Sequence, residues 1–209
     1  MDIVLSSRSR AVATVAALAA GAVLGILGPL LSAAGGSAGQ AAGLVLSAGW
    51  AWAALAFGVG SARKSRVESV VLAFASLVVA VIAYYLTKLC QGEFRKVDLS
   101  DPTGGTTQID WFGFSSKALV WCIFALLLGS LLGLVGNLAR NHGLRGLPFR
   151  AVVPLVAIVD TSQRLDVDAP LQGAVATATW TVIRVLAAAA ILALIGHTVL
   201  TRRSRPSAK

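Results

Sequence analysis

Charge is scarce in this chain. Only 13% of its 209 residues are Asp, Glu, Lys or Arg, where a water-soluble domain carries about a quarter. That leaves too little polar surface to cover a soluble globule. Cysteine is scarce too. Cys90 and Cys122 are the whole supply, too few for a disulfide framework and at no metal-binding spacing, although one bond between them is conceivable if both lie near the outer face. Catalytic signatures are missing: there is no G-x-S-x-G, no H-E-x-x-H, no phosphate-cradling Walker loop and no paired-histidine cluster. His142 and His197 are isolated, so both read as non-catalytic, and neither a metal nor a cofactor is expected. Acidic residues are outnumbered nine to eighteen, for a formal net charge of +9. In a soluble protein that excess would suggest nucleic acid. Here the basic residues lie in short clusters at helix ends, without aromatic interleaving or a nucleic-acid motif, so no such partner is expected.

What the chain does have is apolar residues, 56% of the total, with a mean hydropathy of +0.79. They fall into six runs, at about 11–31, 41–59, 69–89, 116–138, 148–165 and 171–200. A membrane-spanning helix needs about 20 such residues. The fold class expected is therefore all-α: a polytopic membrane bundle of six transmembrane helices, forming one domain. The first run follows a basic start, as a signal peptide would, but it exceeds the roughly 7–15 residues of a signal h-region and reads as an uncleaved span. The fifth run is the weakest. Its clean apolar core is Ala151–Val159, with Pro154 inside, and it reaches spanning length only by including Asp160 and Gln163. Pro154 frees the carbonyl of Arg150 and predicts a kink.

The polar segments alternate in charge. Arg8 and Arg10, then Arg63, Lys64 and Arg66, then Arg140, Arg145 and Arg150, then the tail with Arg202, Arg203, Arg205 and Lys209 all fall on one side of a six-span chain. The other side receives the uncharged linker Ser32–Gln40, the long loop from Cys90 to Asp110, and Asp166 with Asp168. The positive-inside rule then puts both termini in the cytoplasm, against anionic headgroups. Dropping the fifth span would move the basic tail outside. Glu68 is expected to pair with Arg63 or Lys64. Asp101-Pro102 and Gly104-Gly105 predict irregular structure in the long loop, with Asp98, Asp101 and Asp110 solvated. Tyr84, Tyr85, Trp111 and Trp121 suit an outer aromatic belt, whereas Trp50 and Trp52 lie deeper and read as bundle packing.

Two features inside the spans carry the most information. Gly21, Gly25 and Gly28 in span one repeat the G-x-x-x-G-x-x-G spacing of Gly129, Gly133 and Gly136 in span four. Such residues let membrane helices approach closely. Because these two spans cross in opposite directions, the match also suggests a weak 3+3 inverted repeat. The second feature is buried charge, which costs at least about 2.5–3.5 kcal/mol per residue on insertion scales. Arg184 lies well inside span six and Asp160 late in span five. Both belong to the outer half of the bilayer, so an Asp160–Arg184 ion pair is expected, with Trp180 one turn before Arg184 covering the guanidinium. The pair reads as structural before it reads as a polar site for an anion or a proton.

The run Ser47-Ala48-Gly49-Trp50-Ala51-Trp52-Ala53-Ala54-Leu55-Ala56-Phe57-Gly58-Val59-Gly60, followed by a basic turn and a span ending in Tyr84-Tyr85, resembles a family of small multi-span integral membrane proteins of high-GC Gram-positive bacteria with no assigned activity. That family places an acidic residue late in its fifth span, where Asp160 stands. The resemblance implies a bacterial cell-membrane protein and no particular chemistry. In architecture alone the chain is also similar to the small substrate-binding subunits of vitamin uptake systems.

The sequence therefore favours a non-enzymatic binding, scaffold or accessory subunit, working with a membrane protein partner or as a homo-oligomer. The alternatives are a small-solute transporter or uptake component built around Asp160, Arg184 and Trp180, and, third, a lipid-modifying membrane enzyme.

Overall fold

A computed structural model describes residues 2–98, 106–141 and 143–203, with side chains from residue 10 onward apart from those of 199 and 201–203. The turn signals at 101–105, His142 and the tail beyond Arg203 lie outside the described residues. The described chain is a helix bundle: α1 (Asp2–Ala33), α2 (Gly36–Ser47), α3 (Gly49–Ser61), α4 (Arg66–Cys90), α5 (Trp111–Leu138), α6 (Leu147–Val167), the short α7 (Ala169–Gln172) and α8 (Ala174–Arg203). Four of these are long and apolar enough to cross a membrane: α1 from Arg10, α4, α5, and α8 to Thr198. The broken pair α2 and α3, bent by 55°, makes a fifth candidate. Helix α6 is long enough at 21 residues, about 31 Å of rise, but it carries Arg150, Asp160, Arg164 and Asp166.

The exposed faces are what a bilayer requires. On α5, Leu119, Ile123, Leu127 and Leu131 are exposed, and on α8 so are Val182, Val185, Leu186 and Leu192. Water would not tolerate such faces side by side on one bundle.

Helix α4 is central. The glycines of α1 and α5 both dock on it, and the approach is close enough to exclude any side chain. A Cβ on Gly21 or Gly25 would collide with the backbone carbonyl of Ser76 or Ala80, and one on Gly133 would meet Ala73 and the Ser69 carbonyl. Gly28 faces Ser47 at the end of α2, Gly129 faces Phe74, and Gly136 faces the α3 backbone at Phe57 and Ser61. Both motifs thus serve helix contact. The 3+3 repeat does not carry over into the packing. A repeat relating span one to span four would have α5 pack on α8 as α1 packs on α4. Instead α5 packs on α4 and α3, with a smaller contact to α6.

Hydrogen bonds fix the two ends of the bundle. At one end the Arg63 guanidinium donates to Thr14 Oγ1 (3.2 Å). Asn137 Nδ2 donates to the Arg63 carbonyl (2.7 Å) and to Ser69 Oγ (3.0 Å). Arg140 donates to the Ser61 carbonyl and Arg150 to that of Ala139. Cations here satisfy the terminal carbonyls of helices and oppose their dipoles. Glu68 forms no ion pair with Arg63 or Lys64. It occupies the first turn of α4, where Ser65 caps its amide, a position that already favours negative charge.

At the other end Gln91 Nε2 donates to the Pro29 carbonyl (3.1 Å), Gln40 Nε2 to that of Gln172 (3.4 Å), and Lys88 pairs with Glu93 (2.6 Å). The long loop is more regular than expected. Strands β1 (Arg95–Val97) and β2 (Thr107–Ile109) pair antiparallel, Arg95 against Ile109. An aromatic ladder underlies them, Trp52–Tyr84–Tyr85–Phe94–Phe114–Trp111, with neighbouring centroids 5.4–6.1 Å apart. Trp121 lies outside this belt, ten residues into α5 and so about 15 Å along it. Cys90 is exposed, Cys122 is half-buried, and both are free thiols.

Asp110 is not simply solvated. It caps α5 by accepting from the Gly113 amide (3.0 Å) and pairs with Lys96. The Lys96 ammonium first, then the Gly113 amide, hold its carboxyl below the ordinary aspartate value of 3.8. Because folding lowers this pKa, the cap is fully in place above the ordinary value and is lost as the pH falls through the lowered one. Protection of the Gly113 amide against hydrogen exchange is expected to drop across that acid window, and the drop to vanish in Asp110→Asn. Equal acid sensitivity in the variant would show that the cap is not the cause.

Candidate functional site

The site forms where the second candidate span breaks. Ala48 leaves helical geometry with φ −75° and ψ 145°, so α2 ends at Ser47 and α3 restarts at Gly49. The break is held by side chains. Trp52 Nε1 donates to the Leu46 carbonyl (3.0 Å), and the Trp52 ring packs edge-on against Tyr84. Ala48 is fully buried together with Ala176 and Trp180 of α8 and Ala169 of α7, with Trp50 and Leu165 around them.

Helix α6 brings charge to this point, passing without interruption through Pro154. Asp160 Oδ1 accepts from Arg164 Nε at 3.0 Å, and Arg164 Nη1 reaches Asp168 Oδ2 at 3.4 Å. These residues are four apart, one above another on a single helix face. The Arg164 guanidinium lies 5.0 Å from the Trp180 ring centre, a cation–π distance. The Asp160 carboxylate stands beside the restart of α3: a Cβ on Gly49 would be 3.8 Å from both of its oxygens. The first amides of a helix carry partial positive charge, which favours a carboxylate there.

The expected Asp160–Arg184 pair is therefore corrected. Asp160 takes Arg164, and Trp180 covers Arg164 rather than Arg184. Arg184 is exposed and has no ion-pair or hydrogen-bond partner among the described residues. Depth alone made Arg184 look like the partner. The buried stripe of α8 is Ala176, Trp180 and Ala187, with Ile183 half-buried, and Arg184 lies to one side of it. Arg164 was legible in the Asp160-x-x-x-Arg164-x-x-x-Asp168 spacing.

Three buried polar atoms at the site have no hydrogen-bond partner among the described residues: Trp50 Nε1, Trp180 Nε1 and Asp160 Oδ2. Trp180 is 0% exposed, so its N–H has no route to solvent. Trp50 and Trp180 belong to the buried cluster around Ala48 and Asp160 stands beside Gly49, so two donors and one acceptor are left without partners around the break. Two carboxylates against one guanidinium leave the cluster with one excess negative charge. Among the described residues no group of His, Cys, Asp and Glu is placed to hold a metal ion. Comparison with protein-family models, curated proteins and solved structures finds no match to this chain.

Proposed function

We propose that this chain is a six-span protein of a bacterial plasma membrane, with both termini cytoplasmic, acting as a non-enzymatic binding, scaffold or accessory subunit whose binding element is the broken second span facing Asp160. The observation that carries the reading is the set of three unpartnered polar atoms at that break. Buried donors and acceptors are almost always paired, so three exceptions around one helix break call for something to meet them, and a bound polar group would do so.

Six spans are supported by the two bundle ends. Thr14, Arg63, Asn137, Arg140 and Arg150 meet at one end, and Pro29 with Gln91, and Gln40 with Gln172, meet at the other. On this reading α6 is the fifth span, and the Asp160–Arg164 pairing beside Trp180 offsets charge that its composition would otherwise forbid. The basic end then faces the anionic inner leaflet. An impermeant maleimide added to intact cells is expected to label Cys90 at the outer end and to label nothing after Cys90→Ser. Labelling only after the cells are opened would reverse the orientation.

A second reading is a small-solute transporter or the substrate-binding component of an uptake system. It is favoured by the restart of α3 beside a carboxylate, since interrupted helices with ends directed at charged groups build transporter sites. A lipid-modifying enzyme has less support, because Asp110 is committed to capping α5 and to Lys96. The binding role is tested by replacing the pair together, Asp160→Leu with Arg164→Met. A folded double variant that loses the cellular phenotype of the intact chain supports a working site. A folded variant with full phenotype reduces the cluster to packing.

A further inference from the structure

We propose that the Arg184 face of α8 docks against a transmembrane helix of a different protein, one carrying an Asp or Glu at the same depth. The proposal rests on α8 being a span, which is tested separately in the Cys90→Ser chain by an impermeant maleimide that should reach a cysteine placed at Gly173 in intact cells and one placed at Leu200 only after the cells are opened.

Arg184 is exposed on a helix otherwise fit to cross a bilayer and has no partner among the described residues. It stands ten residues after the start of α8 and nineteen before its end, about 15 Å and 28 Å of rise. An arginine at that depth facing only hydrocarbon is costly, and intramembrane charges are almost always turned toward protein or water.

The exposed surface of α8 is also divided. At about 100° per residue, Thr177, Thr181, Arg184 and Ala188 share one side. Val182, Val185 and Leu186 share another, and all seven are exposed. The second side is bulky and aliphatic and suits lipid. Over 177–188 the first is small apart from Arg184 itself, with Ile195 following two turns on, and small residues with hydroxyls are what membrane helices place against one another. The charge among them sets the partner's chemistry, since Arg pairs best with a carboxylate that meets its two parallel N–H groups.

A second copy of this chain does not supply that carboxylate. Among the described residues the one acid well inside the candidate spans and α6 is Asp160, and it is turned inward onto Arg164 and the start of α3. Glu68 sits at the basic end, and Glu93 and Asp110 at the other. A symmetric dimer through this face would instead set arginine against arginine.

The test uses the full chain in its native membranes, with a photo-crosslinking side chain at Thr181 or Ala188 on the proposed face, or at Leu186 on the aliphatic one. Crosslinks to another polypeptide are expected from Thr181 and Ala188 only, in a peptide that carries Asp or Glu within an apolar run. Arg184→Leu should cut that crosslink about tenfold or more, Arg184→Lys should keep most of it, and Asp→Leu or Glu→Leu in the partner should reproduce the loss. The gel-filtration profile of the purified Arg184→Leu chain checks that the variant folds. Crosslinks to lipid alone mean that Arg184 reaches headgroups, and overturn the proposal. So do crosslinks to a second copy of this chain, an acid-free partner peptide, or a yield that a folded Arg184→Leu chain leaves unchanged.

Discussion

Arg164→Met is expected to destabilise the folded chain by about 3 kcal/mol, the low end of the 3–5 kcal/mol typical of breaking a buried pair from one side. Arg164 is the ion-pair partner of Asp160 and reaches Asp168 as well. Without it the Asp160 carboxyl is left with neither oxygen bonded, since Oδ2 already lacks a partner among the described residues. The partial exposure of the two side chains, 21% and 28%, is what sets the low end of the range. Adding Asp160→Leu to Arg164→Met should recover most of the loss, because two apolar residues of similar size leave no stranded charge. Thermal unfolding of the detergent-solubilised protein, followed by the loss of its monodisperse gel-filtration peak, gives the ranking. A single variant that melts with the intact chain would make this an ordinary surface ion pair, worth about 0–1 kcal/mol.

The second large effect lies at the glycine crossings. Gly136→Ala is expected to cost about 2–3 kcal/mol, toward the upper part of the range for overpacking. Its new methyl would collide with the Phe57 carbonyl and crowd the Ser61 amide. Both are backbone, so relief requires α5 and α3 to separate, and that would also loosen Gly60 against Gly133. Gly58→Ala is the internal control, because a Cβ there meets nothing within 4 Å. In the helix α3 it should be neutral or stabilising by about 0.5–1 kcal/mol, the usual gain of alanine over glycine. The same chemical change on two neighbouring helices is thus expected to destabilise at one position and not at the other. Matched melting curves for the two variants would mean that the crossing is looser than its geometry.

How far the site was legible depends on which signal is read. Asp160, Arg164 and Asp168 form an i, i+4 ladder plain in the sequence, but depth alone pointed to Arg184 on another helix and Arg164 was passed over. The break at Ala48 had little to announce it. No proline stands there, and Ser47-Ala48-Gly49 is a weak stop among many small residues. Only the burial of Ala48 against Ala176 and Trp180 shows why the chain turns at that point. The strands at 95–97 and 107–109 were hidden by turn-rich composition between them. The close approach of α1 and α5 to their neighbours was readable, because glycine spacing reports directly on backbone contact.

Length, hydropathy and the placement of arginine determined by themselves that the chain is helical and where its apolar segments and its charges lie along it. Tertiary structure alone decided which way each helix faces: that α4 receives the first two glycines of each motif, that Asp160 meets Arg164, and that Arg184 is left outside. The reason is physical. In lipid the protein-facing and solvent-facing sides of a helix are both apolar, so the periodic contrast that orients a helix in water is nearly erased, and packing has to supply the azimuth.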